Sequence, residues 1–172
     1  GTAAPSAARV QAGHLVEAGG VRLLLDCGGG VVARMAERGL RWQDVTHVAL
    51  THFHADHVTD LVNLVVAWRY GHLPPRSAPA TVLGPPGTTA LLERLAAALW
   101  APLRTPGFPL EVRELVPGGE AVALGDGTTI AAWKEMDERL NEISLLVLQQ
   151  PAAMAAIERS LARDLADVKL SG

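Results

Sequence analysis

The sequence predicts an α/β fold in a single domain. Apolar runs of strand length, bounded by Gly, Pro and charged residues, alternate with segments that have the spacing of amphipathic helices. A polar cluster, Thr51-His52-Phe53-His54-Ala55-Asp56-His57, lies between a strand-like run and a helical run. In open α/β sheets, the turn after the carboxyl end of a strand is the usual place for chemistry. The 172 residues, 49% of them apolar with a mean hydropathy of +0.20, are enough to build a buried core.

The first half of the chain is predicted to contain three strands and two helices. Gly19-Gly20 between two apolar runs is typical of a hairpin turn. The second of these runs is almost entirely apolar, as expected for a strand that is covered on both faces. In the second helix, Leu61, Leu64, Val65 and Trp68 recur at helical spacing and are expected to face the core. The predicted strands are residues 14–17, 21–26 and 45–50, and the predicted helices are residues 31–38 and 58–70.

The second half begins with a Pro-rich segment, residues 73–80, which is predicted to form a loop. Two later strands, residues 110–116 and 121–124, are predicted to pair with each other, and Gly125-Asp126-Gly127 then forms a tight turn. The remaining predicted strands are residues 81–83, 128–133 and 143–148, and the remaining predicted helices are residues 89–100 and 152–165.

The polar cluster has the spacing of a metal site. His52 and His54 are two residues apart, so both rings point to one side of an extended chain, and Asp56 and His57 follow as the chain turns. Imidazole nitrogen and carboxylate oxygen suit Zn²⁺, and also Fe or Mn. Two such ions roughly 3.5–4 Å apart could act together on one reacting group. The alternative is a surface turn that is merely rich in His.

Other candidate residues carry weaker signals. Gly28-Gly29-Gly30 could cradle an anion at the start of a helix, although a simple strand-to-helix turn is the favoured explanation. Cys27 is expected to be a small buried residue, and His47 within its strand is expected to be structural. A last group lies in or near the Pro-rich segment and could line a cleft, although solvent exposure is the simpler expectation: Arg69, Tyr70, His72 and Arg76.

The polar cluster resembles the His-x-His-x-Asp-His signature of the metallo-β-lactamase fold superfamily. The Leu25-Asp26-Cys27-Gly28 turn and the turn at residues 84–88, Gly-Pro-Pro-Gly-Thr, resemble its ribonuclease Z and arylsulfatase-like branch. The resemblance is strong over residues 1–133 and weaker over residues 134–172. It implies a four-layer αββα sandwich, which is incomplete in this sequence if later segments are missing.

The resemblance also implies roles for individual residues. His52 and His54 would bind one ion, and Asp56 and His57 would bind a second, with Zn²⁺ as the expected metal. Asp56 would also act as a general acid or base. Asp26 would orient a ligand His by accepting its other N–H, and the alternative for Asp26 is a helix cap.

The family pattern breaks after Trp133. The family has further His and Asp ligands there, whereas this sequence has no His beyond His72 and a segment of the pattern is missing between Trp133 and Ile143. Either the sequence is spliced across residues that it does not include, or it is a shortened chain, or its lineage has lost these ligands. The last His would fall near Gln149 or Gln150. Substitute ligands could come from Glu135, Asp137 and Glu138, although a charged surface is the simpler expectation.

These observations favour a metal-dependent hydrolase acting on a phosphodiester, sulfate ester or related small ester. Ribonuclease Z-type processing of transfer RNA is the first alternative; it is less favoured because no basic arm is seen and the net charge is −3. A non-catalytic metal-binding or interaction module is the second. A single Cys rules out an intrachain disulfide, and no apolar run is long enough to span a membrane. A cytoplasmic protein, with homodimerisation as an option from the family, is therefore expected.

Overall fold

The computed structural model describes residues 6–99, 103–134 and 143–148, together with residue 4. Within these residues, eight strands form two sheets, and three α-helices cover one of them. None of the helices in this part of the chain is both long and apolar enough to cross a membrane. The predicted helix at residues 152–165 lies outside the described residues. The helices are α1 Val31–Glu37, α2 Ala55–Tyr70 and α3 Thr88–Leu99.

The larger sheet has five strands in the order β1-β2-β3-β4-β5. The predicted hairpin is confirmed, because β1 and β2 pair in antiparallel register around Gly19 and Gly20. The other three pairings are parallel, so their carboxyl ends share one edge of the sheet. The strands are β1 His14–Ala18, β2 Val21–Leu25, β3 His47–Ala49, β4 Ala80–Gly84 and β5 Leu110–Glu114.

The smaller sheet is an antiparallel set in the order β6-β7-β8. The predicted pairing of residues 110–116 with residues 121–124 is wrong. β5 instead pairs with β4 in the larger sheet, whereas β6 pairs with β7. The strands are β6 Val122–Gly125, β7 Thr128–Lys134 and β8 Ile143–Leu148.

Alternating side chains on the central strands divide the core into two parts. Leu24 and Val48 face the helices, whereas Leu23 and Ala49 face the smaller sheet. The four apolar residues predicted to face inward from α2 are all fully buried on the helix side. The described residues therefore form three layers, helices on a sheet on a second sheet. This arrangement positions the carboxyl ends of β2 and β3 next to the start of α2.

Candidate metal centre

Asp26 forms the base of the polar cluster. It follows β2, is only 5% exposed, and adopts a left-handed backbone conformation with φ of 57°. Its backbone N–H donates to the carbonyl of Ala49 at 2.8 Å, which holds the turn after β2 beside the end of β3. The parallel register explains this proximity, because Leu25 lies opposite Ala49. A buried carboxylate is thereby placed directly behind the turn that carries the histidines.

Two residues of the cluster form hydrogen bonds with this buried carboxylate. Nδ1 of His57 lies 2.8 Å from Oδ2 of Asp26. The backbone N–H of Thr51 donates to Oδ1 at 2.8 Å, and the Thr51 hydroxyl lies 3.0 Å from each carboxylate oxygen. The resemblance implies a contact of this kind between Asp26 and a His, and the role of Asp26 toward a metal ligand stays a prediction. Asp26 therefore fixes the His57 ring on α2 and the Thr51 turn together.

The three imidazole rings of the cluster are close together. The ring centroid of His52 lies 3.9 Å from that of His57 and 4.7 Å from that of His54. His52 is 8% exposed, His57 is partly buried, and His54 is exposed. The exposure of the rings therefore increases from His52 through His57 to His54 at one edge of the sheet.

Helix α2 begins earlier than the sequence predicts, at Ala55 instead of residue 58. Asp56 and His57 therefore lie in the first helical turn instead of in the preceding loop. His54 is the N-cap residue, with extended backbone angles, and its carbonyl accepts the N–H of His57 at 2.9 Å. The carboxylate of Asp56 reaches to 3.7 Å from Nε2 of His57. The Asp56 carboxylate therefore lies near the His57 ring, which itself packs against His52.

The first turn of α2 is held by backbone contacts with the Gly-rich turn after β2. The N–H of Cys27 donates to the carbonyl of His57 at 2.7 Å, and the N–H of Ala12 donates to the carbonyl of Asp56 at 3.1 Å. A Cβ on Gly28 would lie 1.9 Å from the same Asp56 carbonyl oxygen, so a side chain cannot be accommodated there. Gly28 therefore permits the close approach of the turn to α2.

The anion cradle suggested by the Gly-rich turn is not supported. The N–H of Gly29 already donates to Oε1 of Gln11 at 2.6 Å, and the N–H of Val32 donates to Oδ2 of Asp60 at 2.9 Å. Cys27 is fully buried, and this burial, reinforced by nearby Asp60, raises the pKa of its thiol well above the usual value. Both the strand-to-helix turn and the buried Cys agree with the simpler predictions.

Comparison with known proteins identifies the superfamily. The fold resembles the metallo-β-lactamase fold protein YhfI of Bacillus subtilis, with a TM-score of 0.67 and 20% identity over 84% of this chain and 54% of that one. It also resembles the short form of human tRNase Z, with a TM-score of 0.69 and 23% identity over 86% of this chain and 62% of that one. The chain belongs to the metallo-β-lactamase fold superfamily.

The sequence relatives of this chain include ribonuclease Z proteins. The chain is 34% identical over 128 residues to ribonuclease Z of Mycolicibacterium gilvum, and 40% identical over 115 residues to that of Bradyrhizobium sp.. The matches cover 69% and 66% of this chain but only 44% and 36% of the relatives. A family model described as anti-Pycsar protein Apyc1 also matches residues 1–83. The chain therefore spans less than half the length of these curated relatives.

The donors fit the metal of this superfamily in chemical type but do not complete a site. Three imidazoles and one carboxylate are suitable ligands for zinc, and Asp26 gives His57 the support that a ligand His usually has. Within the described ranges, however, no group of three or more His, Cys, Asp or Glu side chains is arranged to hold an ion. Gln149, Gln150 and the three predicted substitute ligands at residues 135, 137 and 138 lie outside the described residues.

The residues of the Pro-rich segment do not contribute to this centre. About 20 Å of helix separates Asp56 from Tyr70, given the rise of an α-helix. Arg69 instead donates to the Tyr70 hydroxyl and to the carbonyl of Thr105. The expectation that Arg76 is solvent-exposed is wrong: it is 8% exposed, and its guanidinium donates to three backbone carbonyls, those of Gln43, Ala78 and Pro79.

A concavity lies at the end of the sheet opposite the polar cluster. It has a volume of about 580 Å³, and its lining includes Asp44, His47, Arg76 and Asp126. His47 contacts the Thr46 hydroxyl at 2.8 Å, and burial lowers the pKa of its ring. This cleft is formed at the amino ends of β3 and β4, away from the polar cluster. His47 is therefore separate from the metal centre, as predicted.

Proposed function

We propose that this chain forms part of a metal-dependent hydrolase that cleaves phosphodiester bonds in RNA. The observation that carries the proposal is the clustering of the His52, His54 and His57 rings in front of a buried Asp26 that bonds one of them. Superfamily membership is consistent with this chemistry. Ribonuclease Z relatives favour RNA as the substrate over the small ester that the sequence alone favours.

His52 and His54 are proposed to bind one ion, and Asp56 and His57 a second, with the remaining ligands supplied outside the described residues. Zn²⁺ is the proposed metal, with Mn and Fe as alternatives that the same donors accept. When bound, such ions act as Lewis acids and lower the pKa of water enough to provide a nucleophile near neutral pH. Asp26 supports this set by accepting the Nδ1–H of His57, which leaves Nε2 available as a ligand atom.

Asp56 is proposed to transfer a proton during cleavage. Its side chain is 28% exposed, so it is accessible from solvent, and its Oδ2 lies 3.7 Å from Nε2 of His57. It occupies the first turn of α2, directly before His57. The ionised form can accept a proton at Oδ2 and return it to the leaving oxygen.

A homodimer remains a prediction from the family.

The test measures metal and substrate preference in the full-length protein. Zinc per chain is determined by mass spectrometry, and cleavage is compared on a transfer-RNA precursor, bis(p-nitrophenyl) phosphate and p-nitrophenyl sulfate. We expect bound zinc and preferred cleavage of the RNA precursor. His54→Ala should remove metal and activity together, and Asp56→Asn should lower the rate by about 10²–10⁴-fold.

The matched control is His47→Gln. This change removes a His at the amino end of β3, the strand that leads to the polar cluster. It should leave zinc content and cleavage unchanged, because His47 lines the opposite cleft. Activity that survives His54→Ala would contradict the proposed site. Zinc binding without cleavage of any of the three substrates would instead support the non-catalytic module. Preferential turnover of the sulfate ester would contradict the proposed substrate.

A further inference from the structure

Thr51 occupies a central position between Asp26 and the histidines. Its hydroxyl oxygen lies 3.0 Å from both oxygens of Asp26 and 2.9 Å from Nδ1 of His52. It also lies 3.5 Å from Nδ1 of His57. The sequence offers no signal for such a role, because Thr is a common residue at the end of a strand. We propose that Thr51 is a positioning residue that links Asp26 to His52 and fixes the tautomer of the His52 ring.

The direction of each hydrogen bond follows from the chemistry of the groups. An ionised carboxylate can only accept, so the single hydroxyl proton of Thr51 is donated to Asp26. The hydroxyl oxygen then has only lone pairs to offer His52. A contact of 2.9 Å is favourable only if Nδ1 of His52 carries its proton and donates to that oxygen. The neutral His52 ring must therefore hold its lone pair on Nε2.

The same carboxylate determines the state of His57 directly. Nδ1 of His57 lies 2.8 Å from Oδ2 of Asp26, so it must also carry its proton and donate. One buried carboxylate thus orients two imidazoles, one directly and one through the Thr51 hydroxyl. The rings belong to different elements, since His52 precedes α2 and His57 lies within it. In their neutral forms both rings then carry the lone pair on Nε2. The value of this arrangement for a metal rests on the metal-binding role proposed above.

A second Thr-His pair at the other end of β3 provides an internal control. The hydroxyl of Thr46 donates to the carbonyl of Arg22 at 3.1 Å, accepts the N–H of Arg22 at 3.0 Å, and contacts Nδ1 of His47 at 2.8 Å. In this pair, the acceptor of the Thr hydroxyl proton is a backbone carbonyl instead of a buried carboxylate. It also lines the opposite cleft. Removing the Thr46 hydroxyl should therefore disturb His47 and leave His52 unaffected.

The test combines a tautomer measurement with a zinc titration in the full-length protein. Thr51→Val keeps the shape of the side chain without the hydroxyl, Thr51→Ser keeps the hydroxyl, and Thr46→Val is the matched control. Ring nitrogens of ¹⁵N-His-labelled, metal-free protein are assigned by long-range ¹H–¹⁵N correlation, at a pH well above the ordinary His value of about 6.5. Zinc affinity is measured by competition with a chelator.

In the wild type, Thr51→Ser and Thr46→Val, we expect the tautomer of His52 with the proton on Nδ1 to dominate. In Thr51→Val, we expect this tautomer no longer to dominate. Zinc affinity should fall about 10–100-fold in Thr51→Val alone. If Thr51→Val does not fold, as judged by circular dichroism, Thr51→Ala poses the same question with a smaller side chain. A folded Thr51→Val protein with the wild-type tautomer would overturn the inference.

Loss of the Nδ1-protonated His52 tautomer in Thr51→Ser as well would also overturn the inference. The methyl group of Thr51, and not its hydroxyl, would then be responsible for the tautomer. A wild-type protein that binds no zinc would contradict the proposed function instead. The tautomer of metal-free His52 would still decide the role of Thr51, so the two failures are distinguishable.

Discussion

Nδ1 of His57 lies 2.8 Å from Oδ2 of Asp26, although 31 residues separate them along the chain. The contact joins the turn after β2 to the first turn of α2, and the parallel pairing of β2 with β3 brings these two segments to the same edge of the sheet. A buried charge with several hydrogen bonds is stable only while its donors stay in place. This contact therefore couples the geometry of the site to the stability of the fold.

Asp26→Asn should weaken both properties. Asn tolerates the left-handed backbone conformation of this position, so the change tests the side chain and not the turn. One carboxylate oxygen becomes an amide NH₂ group, which cannot accept from either His57 or Thr51. We expect a loss of about 1–3 kcal/mol in the free energy of unfolding, measured by urea titration. Zinc affinity should fall about 10–100-fold.

The control for this change is Asp44→Asn, whose carboxylate pairs with Arg41 at the protein surface. It should leave zinc affinity unchanged. If Asp26→Asn binds zinc as tightly as the wild type, Asp26 does not support the metal site. A decrease in stability alone would then assign it a purely structural role.

Gly28→Ala should separate α2 from the turn after β2. The added Cβ would lie 1.9 Å from the carbonyl oxygen of Asp56, and backbone atoms cannot move aside as a flexible side chain can. We expect a destabilisation of about 1–3 kcal/mol or more, measured by thermal unfolding. Gly39→Asn is the matched control, because a Cβ at Gly39 has nothing within 4 Å and Asn accepts its positive φ. Equal effects of the two changes would contradict the close approach described here.

Local patterns in the sequence were sufficient for most elements but not for strand partners. Residues 110–116 and 121–124 are adjacent along the chain and joined through Gly residues, which favours a hairpin. In the structure, Leu110 and Val112 of β5 pack on the helix side of the core, whereas Val122 and Leu124 of β6 pack between the sheets. The choice of partner depends on which face each strand buries, and that is decided by residues far away in the sequence.

The polar cluster is predictable where its residues are contiguous. Spacing alone picks out His52, His54, Asp56 and His57, whereas only the family resemblance links Asp26 to a His of the cluster, and their metal-binding roles stay predictions. The start of α2 was not predicted, because its N-cap residue, His54, makes no capping hydrogen bond through its side chain. The link through Thr51 was not visible either, since it depends on the three-dimensional position of Asp26.

Arg76→Lys should destabilise the protein although it retains the charge. The guanidinium donates to the carbonyls of Gln43, Ala78 and Pro79, and it lies 4.6 Å from the ring centroid of Trp68. A lysine ammonium lacks the planar fork that reaches three acceptors and stacks on a ring. We expect a loss of about 1–3 kcal/mol in the free energy of unfolding by urea titration, since buried carbonyls are left unsatisfied.

The comparison for Arg76 is Arg113→Lys, at an exposed Arg that pairs with Glu111 on the same strand. Its stability should remain close to that of the wild type, because exposed ion pairs contribute little. A similar stability for both Lys variants would show that the guanidinium of Arg76 is not required. Zinc affinity should be unaffected in either variant, since Arg76 lines the cleft at the opposite end of the sheet.

His47→Gln should change how stability depends on pH. Burial, assisted by nearby Arg113 and opposed by Glu111, lowers the pKa of the His47 ring below its ordinary value of about 6.5. The unfolded chain therefore binds more protons than the folded protein as the pH falls below this value, so folding is disfavoured there. The contribution of neutral His47 is fully present above about pH 6.5 and decreases as the pH falls through the lower folded-state pKa. Urea unfolding of the wild type and His47→Gln, from above pH 6.5 to lower pH, measures the difference in their free energies of unfolding. This difference should become smaller at low pH. A gap between the two proteins that stays constant with pH, or widens on acidification, would contradict a lowered pKa at His47.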